Sequence, residues 1–239
     1  METSTSRCDN EEVQSLPTLQ ERLDQITQNT RRLVQPERLA ITEQAAADLF
    51  HTGIEDRILR TGAQVPAFTL EDARTGRPIS SADLLSVGPL IVNFFRGRWC
   101  PYCVTELETW RDLYPEVRKR GALLVAISPQ TTRQNNFAIE QHGLPFPLVA
   151  DPGAKVAEAF GLAYTVPEEQ RRYFQSILVN IPFNNAGLNY RNATEESWRL
   201  PLPGVFVIAQ DGKILFSEAH ADFRVRPEPA DVLAVLDKR

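Results

Sequence analysis

Apolar residues recur every three or four positions between Leu16 and Leu59, in "LPTLQERLDQITQNTRRLV" and "ERLAITEQAAADLFHTGIEDRIL". That is the period of helices burying one face, and Pro36 divides the stretch into two runs. After Gly62 the pattern changes to short β-rich runs alternating with helices. "PLIVNFF" (89–95), "ALLVAIS" (122–128), "FPLVA" (146–150), "GVFVIA" (204–209) and "KILFS" (213–217) predict strands. The first two are near-continuous apolar runs, as expected for strands covered on both faces. "CVTELETWRDLYPEVRKRG" (103–121) predicts a helix stopped by Gly121, with further helices over 131–142, 153–161 and 228–238. "QDG" (210–212) reads as the turn of a hairpin joining the last two strands.

This order predicts an α/β fold in three layers. Residues 1–16 are polar and aperiodic and predict a flexible tail, 17–60 a helical extension, and 61–239 the main domain. The long stretch 162–200, with Tyr164, Tyr173, Phe174, Phe183, Tyr190 and Trp198, is an insertion of the kind that forms lids or subunit contacts. With the helical extension it makes a homodimer a natural expectation.

Composition narrows the function. A net charge of -5 spread over mixed-sign residues gives no basic footprint for nucleic acid. The N-terminal "METSTSRCDNEE" lacks the basic and apolar regions of a signal peptide, and no run approaches the roughly 20 apolar residues that cross a bilayer. A cytoplasmic protein free of membranes is expected. Three cysteines cannot form a secreted disulfide scaffold. Cys8 lies in the tail without an expected role, which leaves Cys100 and Cys103.

"FFRGRWCPYC" (94–103) sets that pair between an apolar strand and a helix. With Cys100 near the N-cap, Pro101 falls at the first helical position, where its missing N–H costs nothing. Two cysteines three apart face the same side of the first turn and can close a disulfide. The helix dipole contributes roughly 0.3–1 kcal/mol, enough to lower a thiol pKa by about one unit. Arg96 or Arg98 would add to this, and the thiolate is the nucleophile. A structural zinc site needs about four ligands, whereas His51, His142 and His220 are scattered and no second cysteine pair exists, so no metal is expected. Two inert buried thiols are the remaining alternative, against which a WCxxC at a strand-to-helix junction favours redox chemistry.

The segments "VPAFTLEDARTGRPISSADLL", "GPLIVNFFRGRWCPYCVTEL", "LVAISPQ", "FPLVADPGAKVAEAFGL", "LPLPGVFVIAQDGKI" and "ADFRVRPEPADVLAVL" resemble peroxiredoxin-like proteins of the alkyl hydroperoxide reductase and thiol-specific antioxidant superfamily. The resemblance implies a thioredoxin-like three-layer fold, a central mixed sheet flanked by helices, with the active thiol opening the helix after "IVNFF". Laid on the peroxiredoxin signature, Cys103 takes the peroxidatic position, Cys100 stands where a Thr is usual and Arg96 where a Pro is usual. Pro203 occupies the place of the family's peroxide-orienting arginine and instead matches the cis-proline of thioredoxins, with an ordinary trans proline before a strand as the alternative. "CPYC" is also the glutaredoxin tetrapeptide.

The resemblance implies a thiol-based redox enzyme without a bound cofactor, recycled by an external thiol reductant such as thioredoxin or glutathione. In one reading Cys103 attacks hydrogen peroxide or an organic hydroperoxide and Cys100 resolves the sulfenic acid. In the other, thioredoxin-like reading Cys100 attacks a disulfide and Cys103 resolves. A repurposed fold serving a dedicated small molecule is a third. Arg96 is a candidate replacement for the missing arginine, although a strand-end arginine is commonly solvated or paired with a carboxylate. Trp99 belongs to the thioredoxin-like WCxxC, where an aromatic shields the dithiol, with ordinary packing as the alternative. Glu106 coincides with a Glu common in the resembling proteins, and exposure is its default on a helix.

Overall fold

Five strands carry the centre of the molecule in the computed structural model, which describes residues 17–238. They are β3 (Leu90–Phe94), β4 (Leu123–Ser128), β5 (Leu148–Ala150), β8 (Gly204–Ile208) and β9 (Ile214–Ala219). The tail expected over 1–16, with Cys8, lies outside the described residues. β3 is buried at every position and pairs parallel with β4 and antiparallel with β8. Its alternation explains the layering. Ile91 and the following Phe95 enter one core while Leu90, Val92 and Phe94 enter the other. Helices α4 (Pro101–Lys119), α5 (Thr132–His142) and α9 (Pro229–Leu236) cover the first face, and α3 (Ser81–Val87) and α6 (Lys155–Ala159) the second.

Two further strands, β1 (Thr69–Asp72) and β2 (Pro78–Ser80), extend the sheet to the order β2-β1-β5-β4-β3-β8-β9. The hydrophobic pattern predicts neither. "TLED" and "PIS" hold one large apolar residue each; β2 forms the sheet's edge, where Pro78 is tolerated, and β1 joins it to β5 through two residue pairs. Inside the insertion, β6 (Ala163–Thr165) and β7 (Arg199–Pro201) form a separate ribbon. Between them α7 (Glu168–Ser176) and α8 (Ile181–Ala186) gather around Phe174, Ile181 and Trp198.

The extension comprises α1 (Leu19–Leu33) and α2 (Pro36–His51). α1 opens with a capping box in which Thr18 and Glu21 satisfy each other's backbone N–H. It packs on α4, burying Leu19 and Leu23, while α2 lies against α7. Extension and insertion therefore cover their own domain, and they meet over the start of α4. Among the described residues no helix is long and apolar enough to cross a membrane.

Leu23 is fully buried beneath α1. Leu23→Ala is expected to lower the unfolding free energy by about 2–5 kcal/mol, measured by urea unfolding. A loss within the noise would mean that α1 contributes no core.

Candidate active site

The loop from β3 to α4 is shaped by Gly97. Its φ of 151° lies where side chains are disfavoured, and a Cβ there would come within 2.4 Å of Trp99 Nε1 and 2.7 Å of Gln130 Oε1. Gln130 Oε1 in turn accepts the Arg98 N–H at 3.0 Å, and Arg98 Nε donates to Gln134 at 2.8 Å. Arg98 is thus committed to α5, leaving Arg96 as the arginine of this loop that faces the thiols.

Cys100 is the N-cap of α4 and Pro101 its first residue. Cys100 is 2% exposed and Cys103 fully buried, and both are free thiols. Their surroundings separate them. Burial alone would raise the Cys100 thiol, but the Cys103 thiol as hydrogen-bond donor, the Arg96 guanidinium, the Cys103 amide and Arg226 outweigh it and bring its pKa down to about 6. Cys103 is pushed well above the usual thiol range by burial, by donating to Cys100 and by the charge on Cys100. At neutral pH the pair is a Cys100 thiolate backed by a Cys103 thiol.

Behind Cys103 lies a fully buried ion pair. Arg226 Nε donates to Glu106 Oε2 at 2.9 Å, and Arg226 Nη2 lies 3.7 Å from the Cys103 sulfur. The Phe223 and Val225 carbonyls take further N–H groups of Arg226 and fix the guanidinium. Among the described residues Glu106 Oε1 has no well-formed hydrogen bond, and the side-chain amide of buried Asn93 on β3 is the polar group that faces this carboxyl. Burial raises the Glu106 carboxyl to about 7 against the pull of Arg226, with Cys103 pushing the same way as burial. The exposed Glu106 expected of a helix residue is therefore corrected: one turn beyond Cys103, its side chain points into the first core.

Arg96 is neither solvated nor paired, contrary to the common fate of a strand-end arginine. It is 2% exposed and has no carboxylate partner among the described residues. Its guanidinium carbon lies 4.4 Å from the Phe223 ring centre, 4.9 Å from Trp99 and 5.8 Å from Phe174. Trp99 is half-buried and packs edge-on against Phe174. Over this group opens a cleft of about 190 Å³ lined by Arg96, Trp99, Cys100, Tyr173, Phe174 and Phe223, among others, with α1 and α2 on its far side. Cys103 does not line it. A larger depression beside Tyr164 and Arg199 shares the Phe223 and Gln170 walls but reaches neither cysteine.

Pro203 is buried immediately before β8, whose first residue pairs with Phe94. No peptide bond is cis among the described residues, so the cis-proline suggested by the thioredoxin match is corrected. Leu202 N–H bonds the Leu162 carbonyl at 2.8 Å, and the chain runs extended from the β7 ribbon into β8, a path that a trans bond continues. Arg226 is the residue that sequence reasoning missed. Nothing local distinguishes it from Arg224, which pairs with Asp222 and Glu43.

A dithiol opening the helix after the central strand of such a sheet defines a thioredoxin-like, thiol-based redox protein. The chain belongs to the AhpC/TSA family, whose model matches residues 61–217. It is similar to the thiol-disulfide oxidoreductase ResA of Halalkalibacterium halodurans, 33% identical over 52% of this chain and 70% of that protein. To ResA of Bacillus thuringiensis it is 31% identical over 44% of this chain, spanning 59% of that relative's length. Chloroplastic peroxiredoxin Q of Sedum lineare is 33% identical over 42% of this chain and 53% of its own. Among solved structures, peroxidoxin BcpB from Mycobacterium tuberculosis superposes with a TM-score of 0.56 at 26% identity, covering 75% of this chain and 97% of that one. A cysteine-to-serine mutant of peroxiredoxin 6 from Arenicola marina shares the fold with a TM-score of 0.57 at 19% identity, over 75% of this chain and 72% of its own.

The thiolate band near 240 nm is expected to titrate with a midpoint at about 6 and to be absent in Cys100→Ser; a single transition in the ordinary thiol range would refute the assignment. Glu106 gives a second test. Its carboxyl holds a proton to about 7 in the folded state against an ordinary 4.5. Between those values the native state binds more protons than the unfolded one, so this group makes stability fall as pH rises. Glu106→Gln should flatten that decline between pH 5 and pH 7.5 in urea unfolding, and equal slopes in both proteins would count against it.

Proposed function

We propose that the protein reduces a small hydroperoxide, with Cys100 as the attacking thiolate and Cys103 as the resolving thiol. The observation that carries this reading is the position of Cys100: it is the sulfur lining the cleft, beside the Arg96 guanidinium, while Cys103 is sealed behind it. This reverses the roles that the peroxiredoxin signature implies. The Cys100 thiolate attacks one peroxide oxygen, the O–O bond breaks, and the departing oxygen takes a proton from solvent as Arg96 stabilises the developing negative charge. Cys103 then gives its proton to Glu106 and attacks the Cys100 sulfenic acid; the sulfur–oxygen bond breaks and the expelled hydroxide takes a proton from solvent to leave as water, closing a Cys100–Cys103 disulfide. An external thiol reopens it; no resident cofactor enters the cycle.

Similarity to peroxidoxin BcpB and to peroxiredoxin Q supports a peroxide substrate. A second reading, reduction of a disulfide by the same Cys100, draws on the WCPYC sequence and the likeness to ResA. A reducing cytoplasmic setting suits a dithiol that must return to its free form. The burial of extension and insertion against their own domain supports catalysis within one chain, with a homodimer as an assembly of complete sites.

Stopped-flow mixing of reduced Cys103→Ser with hydrogen peroxide or cumene hydroperoxide is expected to sulfenylate Cys100 well above the rate of a free thiol, with Cys100→Ser unreactive, as read by trapping and mass spectrometry. Sulfenic acid forming at Cys103 in Cys100→Ser would restore the signature's roles. Free-thiol rates at both sulfurs, with a disulfide substrate captured on Cys100 in Cys103→Ser, would favour the second reading.

A further inference from the structure

Arg96 and Arg226 are both removed from water, yet among the described residues only Arg226 has a carboxylate partner. An unpaired buried cation is costly unless something supplies negative charge. The ionisable groups facing Arg96 are Tyr164, the two cysteines and, with like sign, Arg226. Tyr164 is held protonated by its own burial, which leaves Cys100 as the anion of the reduced protein. Closing the disulfide removes that charge. The guanidinium is then left with the neutral Tyr164 hydroxyl and the Phe223, Trp99 and Phe174 rings, its Nε without a partner among the described residues, on the wall of a cleft open to solvent at the other end.

We propose that the oxidised protein uses this cleft to bind a small thiol carrying a carboxylate, and that such a thiol, rather than a protein dithiol, is its reductant. The inference rests on the dithiol cycle proposed above. Charge selects the carboxylate, because a guanidinium fork takes a carboxylate through paired, charge-assisted hydrogen bonds. Size selects a small molecule. The cleft, about 190 Å³ in volume, falls below the roughly 300–1,000 Å³ of drug-sized ligand pockets. α1, α2 and α7 contribute its walls and Cys100 is 2% exposed, so a reductant must reach this sulfur through the cleft.

The chemistry balances with two equivalents of thiol. The first thiolate attacks the Cys100 sulfur, which among the described residues is the one that lines the cleft; the Cys100–Cys103 bond breaks, and Cys103 leaves with the electron pair and takes the proton held on Glu106. The second thiolate attacks the outer sulfur of the mixed disulfide and releases Cys100 as thiolate. Two thiols are oxidised to one disulfide and the protein dithiol is restored.

The test is reduction of the peroxide-oxidised protein by 3-mercaptopropionate, 2-mercaptoethanol and cysteamine, with rates corrected for each thiol's ionisation and nucleophilicity, alongside a reduced thioredoxin. The expected order is anionic, neutral, cationic, with at least about tenfold between the extremes, and with thioredoxin slower than 3-mercaptopropionate. Arg96→Met should collapse the order; the wild-type ranking decides the matter even if that variant does not fold. Equal corrected rates for the three small thiols, or thioredoxin as the fastest reductant, would overturn the inference and leave the dithiol cycle standing. Failure of peroxide to produce any Cys100–Cys103 disulfide by mass would instead bring down the cycle, and this inference with it.

Discussion

The site depends on keeping two guanidinium groups out of water within reach of one dithiol. Buried in this way a cation seeks the nearest negative charge, and the chain offers a carboxylate to one and a sulfur to the other. Arg226 and Glu106 neutralise each other behind Cys103, which stays protonated. Arg96, with no carboxylate partner among the described residues, lowers the pKa of the sulfur it faces. The difference in acidity between two cysteines in one helical turn follows first from the hydrogen bond between them, in which Cys103 donates and Cys100 accepts, and then from Arg96, which favours the charged form of Cys100.

That arrangement requires enclosure, and enclosure comes from parts of the chain that the central sheet does not need. Phe174 from the insertion and Phe223 from the segment after β9 supply ring faces to Arg96. α1 is tied down by Thr27, whose hydroxyl lies 3.1 Å from that of Tyr102, and by Arg22, which donates to Thr109 at 2.6 Å. Both contacts fall on α4, so the helix presenting the thiols also holds the cover above them.

The strand–loop–helix core of this site is legible in the sequence because it is local. "PLIVNFF" has the apolar run of a doubly covered strand, "CPYC" has Pro at the first helical position, and Gly121 ends the helix. The pairing of β1 with β2 escapes notice because edge strands need little apolar content. The polar half of the site is not legible because it is assembled across the chain: Arg226 is 123 residues from the sulfur it touches. Glu106 resembles any helix glutamate until α4 is rotated against β3, and Pro203 carries no local sign of its peptide geometry.

Glu228, two residues beyond Arg226, accepts the backbone N–H groups of Leu19 at 3.1 Å and Gln20 at 2.7 Å, clasping the first turn of α1 from 209 and 208 residues away. During synthesis the cysteines leave the ribosome long before either Arg226 or this clasp exists. A nascent chain therefore carries CPYC without its ion pair and without the fastening of its cover, and Cys100 lacks part of the environment that lowers its pKa. Reactivity therefore matures as residues 223–228 are added, and a product truncated before Phe223 would retain the whole sheet yet lack the Phe223 ring over Arg96, the Arg226–Glu106 ion pair and the clasp on α1.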